Sequence, residues 1–125
     1  MRHVWSLVVA TSLALGGMIA FVPSTASADG KACGDKANPC PLQKWMQDNI
    51  GSKMADGNLK DVATGLDKAA SLSPDASWAE WATIAKAGAD AARKGDMPGT
   101  KAACKNCHDK FKQQYKDKYR TRAVP

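Results

Sequence analysis

Apolar residues return along this chain in steps of three and four. After Pro41, the residues Leu42, Trp45, Met46, Ile50 and Met54 fall on one face of a helix with about 3.6 residues per turn. Pro41 suits a first-turn position and Gly57 a stop, which predicts a first helix over about 41–56. A second begins after Asn58, a good N-cap, with Leu59, Val62, Ala63, Leu66, Ala69 and Ala70 on one stripe. "SLSPDAS" breaks the pattern at Pro74, and Ser77 with Glu80 three positions on has the form of a capping box. The third helix carries Trp78, Trp81, Ala82, Ala85, Ala89 and Ala92 and stops at Gly95. Asp96 can cap a fourth, reaching about Tyr119, with Pro98 in its first turn and a stripe of Cys104, Cys107, His108, Phe111 and Tyr115. No strand-like alternation and no repeat is visible. Short connections imply antiparallel neighbours, so the expected fold is all-α, an up-down-up-down four-helix bundle over 41–120 behind an N-terminal loop, 29–40.

The start of the chain reads differently. Arg2 and His3 precede the apolar run "VWSLVVATSLALGGMIAFV", and Ala26-Ser27-Ala28 supplies the small residues that a signal peptidase reads. A secretory signal peptide over 1–28, cut before Asp29, is therefore expected, and with it an exported, periplasmic protein. An uncleaved anchor is the competing reading; Gly16, Gly17 and Pro23 argue against it. The remainder, Asp29 to Pro125, is one domain of 97 residues, a size at which the core is thin and an extra staple is common. The apolar faces are thin as well, because alanine dominates the second and third helices. A large apolar cofactor would fill the shortage.

All four cysteines lie in the exported part, and His108 is its only histidine. "CKNCH", Cys104 to His108, can hold zinc, exchange disulfides or fasten a haem. Zinc wants four ligands, and Cys33 with Cys40 makes a poor second pair at that spacing. Thioredoxin-like chemistry wants a strand before the motif and its first cysteine at a helix N-terminus, whereas Cys104 lies well inside a helical pattern. Covalent haem meets every constraint. Cys-x-x-Cys-His is the c-type attachment signature, and residues three and four apart share a helix face. Cys104 and Cys107 then form thioethers to haem c while His108 supplies an axial ligand to the iron. With those two cysteines committed, Cys33 and Cys40 are expected to form a disulfide in the oxidising compartment.

"ACKNCHDKFK" in the last helix of a short exported helical protein resembles the haem-binding end of class II cytochromes c, the cytochrome c′ proteins and their cytochrome c556-like relatives. The matching run is Cys104-Lys105, Cys107-His108-Asp109 and Phe111-Lys112, and "AARKGDMPGTKAACKNCH" resembles the family's approach to the motif. The first helix is similar more loosely. Two departures stand out: the connections between helices are short, and the Cys33–Cys40 loop is not part of the pattern. The resemblance implies a four-helix bundle with one of two jobs. Low-spin members carry electrons with a methionine of the first helix on the iron; the cytochrome c′ type leaves that position open and binds nitric oxide or carbon monoxide. Neither is an enzyme in the usual sense, and no spare histidine or nucleophile–base pair suggests catalysis.

A strong distal ligand must come from methionine, lysine or solution, because no second histidine remains. Met46 lies about 4 Å from the level of the first helix's midpoint and Met54 about 8 Å, at 1.5 Å per residue, so Met46 is the candidate distal ligand. It also resembles the ligand methionine of low-spin members, with Gln43 three positions earlier. Met54 and an open site remain alternatives, and plain core packing is the bland reading for both methionines. Trp45, Trp78 and Trp81 divide between haem contact and ordinary core in the same way. Charge is lopsided: residues 29–100 balance at −1, whereas 101–125 stand at +6 around the motif. A solvated helix face explains such a run, and so does steering toward acidic redox partner proteins. A homodimer is a further option, and no nucleic-acid partner is expected.

Overall fold

The computed structural model describes residues 33–125, so the expected signal peptide, 1–28, lies outside the described residues. Four helical segments and no strand make up the described part. The first, α1, spans 41–55 in three parts: an α-helix Pro41–Met46, a π-helical turn Gln47–Gly51, and an α-helix Ser52–Ala55. Then come α2 (Leu59–Ala70), α3 (Ala79–Arg93) and α4 (Met97–Lys118). None of them is long and apolar enough to cross a membrane.

Local chemistry sets most of the ends. The Asn58 side chain accepts from the Asp61 N–H at 3.2 Å, and Asp96 accepts from the Gly99 N–H at 2.9 Å, as N-caps should. Gly57 and Gly95 follow α1 and α3 with φ of 71° and 75°, the left-handed conformation that lets the chain leave a helix. The capping box at Ser77 does not form. Trp78 is the N-cap of α3, because Asp75 Oδ1 takes both the Ser77 N–H (2.9 Å) and its hydroxyl (2.7 Å) first. The other departure is the π turn, where an uninterrupted helix was expected.

Close packing runs from α2 to α3 and from α3 to α4. Both contacts depend on small residues: Ala69, Ala89 and Ala92 are at most 2% exposed, and a methyl group on Gly88 would meet Ala103 Cβ at 3.1 Å and Leu66 Cδ1 at 3.2 Å. The π turn of α1 packs closely on α2. Toward α4, α1 works through side chains: Leu42 shares a buried cluster with Leu72, Trp81, Ile84, Phe111 and Tyr115. A second cluster gathers Ile50, Val62, Ala63, Leu66, Ala69, Ala89 and Ala92.

One end of the molecule is aromatic. Trp78 stacks on Phe111 with centroids 5.2 Å apart and meets Tyr119 edge-on at 5.6 Å, while Trp81 sits 5.5 Å from Phe111. The C-terminal tail closes this end, with Arg122 Nη1 donating to the Leu72 carbonyl and the Tyr119 hydroxyl to Asp75 Oδ2, both at 3.0 Å. Cys33 and Cys40 are joined, their sulfurs 2.08 Å apart, and Cys40 is buried at the start of α1. Cys33 Sγ lies 3.8 Å from the Arg120 carbonyl oxygen, so the bridged loop rests on the C-terminal tail.

Replacing Cys33 and Cys40 together with serine should lower stability by roughly 2–3 kcal/mol, the loop-entropy value for so small a ring. Urea titration of both proteins measures it, and alkylation of the native protein should leave these two sulfurs unmodified. Hydrogen bonds from Ser77, then from Tyr119, hold the Asp75 carboxyl below its ordinary value. A depressed carboxyl stabilises the fold above its unfolded pKa of about 3.9 and ceases to as pH falls through the folded value. The stability gap between wild type and Asp75→Asn should therefore be present at pH 7 and shrink at pH 3, again by urea titration.

Candidate functional site

The motif occupies the middle of α4. At about 100° per residue, Cys104, Cys107 and His108 fall within about 100° of the helix circumference. The Gly88–Ala103 contact brings α3 against α4 one residue before Cys104 and so sets the rotation of this segment. One turn earlier, Thr100 is fully buried and its hydroxyl donates to the Asp96 carbonyl at 2.7 Å, anchoring the approach. Sequence reasoning missed both contacts. "AGA" around Gly88 is the only signal in the chain, and it does not say what the glycine meets.

Both thiols are free and half-buried. Cys104 packs against the cluster of Ile50, Val62 and Leu66; Cys107 packs against that of Leu42, Trp81 and Phe111. The pair thus straddles the join between the two clusters. Trp45 and Met46 of α1 are the partly buried residues that pack against both, whereas Met54 packs against the first alone. Trp78 and Trp81 belong to the aromatic end, with Trp81 buried. His108 departs from the expectation of a stripe member. It is exposed, although on the helix it stands within about 20° of Tyr115, so the neighbouring helices leave this part of the stripe uncovered.

Protonation follows from these surroundings. Burial pushes the Cys104 thiol up, and it pushes Cys107 up to about 11, with Cys104 adding to the effect. Both are thiols at neutral pH, unlike the depressed thiolates that run disulfide exchange. His108 is held below its ordinary value, first by desolvation and then by the charge of Lys112, with Asp109 opposing. Its imidazole is neutral near pH 7 and has a lone pair to give. Among the described residues no group of three or more His, Cys, Asp or Glu gathers as a metal site, and Cys33 and Cys40 are used in their disulfide. A four-ligand zinc therefore lacks its second pair.

The donor set fits a covalent haem: two protonated thiols three residues apart, a neutral imidazole after the second, and apolar groups along the same seam. Two surface grooves lie elsewhere. One, about 560 Å³, is lined by Lys60, Ala63, Thr64, Ala92, Arg93 and Gly95; the other, about 340 Å³, runs beside the π turn past Trp45, Asn49 and Gly65.

Around His108 the helix surface is basic. Lys101, Lys105, Lys112 and Lys116 are exposed and fall within about 60° of α4 next to it. Lys105 pairs with Asp109 on the same helix, and off the stripe Lys110 crosses to Glu80 on α3 at 2.7 Å. Exposed pairs of this kind contribute about 0–1 kcal/mol each and leave the field of the stripe largely intact. No protein-family model, no curated protein and no solved structure matches this chain.

Proposed function

We propose that this chain is an exported, periplasmic monohaem c-type cytochrome that carries electrons, built as an up-down-up-down bundle of its four helices. The observation that carries this reading is the pair of free, half-buried thiols, Cys104 and Cys107, which straddle the join of the two core clusters beside a neutral His108. Bound there, haem c supplies a one-electron iron couple. Cys104 and Cys107 would hold it through thioethers, each by addition of its S–H across a vinyl double bond. His108 would supply a nitrogen lone pair to the iron, and partial desolvation of the ring together with the charge of Lys112 favours the neutral imidazole that this needs. Met46 is the candidate for a second protein ligand to the iron, supported by its packing against both clusters where Met54 packs against one. Wedged side chains rather than backbone contact close the space between α1 and α4, which suits a flat apolar cofactor better than the tight α2–α3 and α3–α4 contacts do. The lysine stripe beside His108 is the docking surface proposed for acidic redox proteins. No catalytic role is assigned to any residue.

The visible spectrum of haem-matured protein tests the reading. Low-spin bands with a methionine–iron feature toward the red are expected. High-spin bands with ready carbon monoxide binding would mean an open, gas-binding site, and absence of haem bands would end the proposal. Met46→Ala should remove the methionine–iron feature, lower the reduction potential and let ferrous haem bind carbon monoxide. Its stability should drop toward the lower end of about 2–5 kcal/mol, since Met46 is only half-buried.

Salt tests the docking surface. The Debye length shrinks from about 30 Å at 0.01 M to about 10 Å at 0.1 M, so steering by the stripe weakens over that range. Electron transfer to an acidic partner protein, followed by stopped flow, should slow by about tenfold or more. A Lys112→Gln, Lys116→Gln variant should start slower and show a flatter salt dependence.

A further inference from the structure

Met46 is the last residue of α1 before the helix widens. The next five residues, Gln47–Gly51, form the π turn, and the Ser52 N–H accordingly reaches back to the Gln47 carbonyl. A π turn takes one extra residue into a single turn and sets back the rest of the helix by about 100° relative to a continuous α-helix. In an uninterrupted helix Met46 and Met54 would stand about 80° apart; the set-back brings them to within about 20°. Their common face is borne out by packing: Met46, Ile50 and Met54 all meet the same buried cluster.

Two side chains hold the widened turn. Asn49 Nδ2 donates to the Trp45 carbonyl at 2.9 Å, and Ser52 Oγ donates to the Asp48 carbonyl at 2.9 Å. Both bonds serve carbonyls of the stretch where the regular ladder is interrupted. The turn is then seated against α2 at one place. A methyl group on Gly65 would lie 2.6 Å from the Asn49 carbonyl oxygen and 2.8 Å from Ile50 Cγ1, so the absence of that methyl sets how closely α1 approaches α2. The closest contact is with the Asn49 backbone, and backbone cannot swing aside as a side chain would.

We infer that the π turn and its seat on Gly65 form a positioning device that aims Met46 toward Cys104 and Cys107. The inference rests on the reading of Met46 as iron ligand. Gly65 acts through Asn49 and Ile50, and is a positioning residue. Moving the turn off Gly65 displaces α1 as a unit and takes Met46 out of line, while the thioethers on α4 stay where they are.

The test uses full-length, haem-matured protein as wild type, Gly65→Ala, Asn49→Ala and Ile84→Val, the last a core change of similar size on α3. Mass spectrometry confirms that haem is attached in each. Gly65→Ala should lose at least half of the methionine–iron band and bind carbon monoxide at least tenfold more tightly, and Ile84→Val should keep the wild-type values. Asn49→Ala, a change to an exposed side chain, should shift both readouts in the same direction by a smaller amount, and it decides the matter by itself if Gly65→Ala yields no holoprotein. A wild-type band and wild-type affinity in both Gly65→Ala and Asn49→Ala overturn the device and leave Met46 as ligand. Equal loss in Ile84→Val overturns it too, as general loosening. A wild type without the band, or a Met46→Ala that retains it, overturns the ligand reading and the device with it.

Discussion

The buried indole of Trp81 ties three helices together. Its N–H donates to the Ala69 carbonyl at 2.8 Å in the last turn of α2, and its ring meets Phe111 and Tyr115 of α4 at 5.5 and 6.1 Å. Removing about 150–250 Å² of aromatic surface from water is worth about 4–6 kcal/mol before entropy is counted. The N–H bond adds little net, yet it would be costly to lose, because an unpaired buried donor costs about 1–3 kcal/mol. Trp81 therefore sets the spacing of α2, α3 and α4 at the aromatic end, and small residues carry the same close spacing along the rest of α2 and α3.

That spacing divides the molecule. Alanine and glycine let α2, α3 and α4 approach through their backbones, which leaves little room for anything between them. The side of α1 that faces α4 is different, since Leu42, Trp45 and Met46 are bulky. Cys104 and Cys107 open onto this side, where the two core clusters meet. The tail and the disulfide loop close the aromatic end, with Arg122 held by Leu72 and Tyr119 by Asp75. The candidate site thus lies in the less tightly packed half and is braced by the tighter one.

Features within one or two helical turns were legible before the fold was known. Asn58 and Asp96 act as caps because each side chain reaches an N–H three residues on, a contact that no distant residue competes for. Gly57 and Gly95 stop their helices for an equally local reason. Ser77 shows where such reasoning fails even at short range: Asp75, two residues earlier, offers a charged acceptor, and the serine hydroxyl goes to it. The π turn was not legible at all. Its residues fit an α-helix by pattern, and the turn rests against Gly65, sixteen positions away from Asn49, a contact that no local pattern shows.

The candidate site divides along the same line. That Cys104, Cys107 and His108 share one arc of a helix was determined by the sequence alone, because the spacing of three and four residues fixes angles within a single helix. The pairing of Cys33 with Cys40 was likewise readable, since only four cysteines exist and two are claimed by the motif. Only the tertiary structure decided that His108 is exposed while both thiols turn inward, and that Met46 rather than Met54 packs against both clusters. Those outcomes depend on how one helix is rotated and seated against another. That rotation is set by contacts such as Gly88 with Ala103 and Gly65 with Asn49, which periodicity along the chain does not encode.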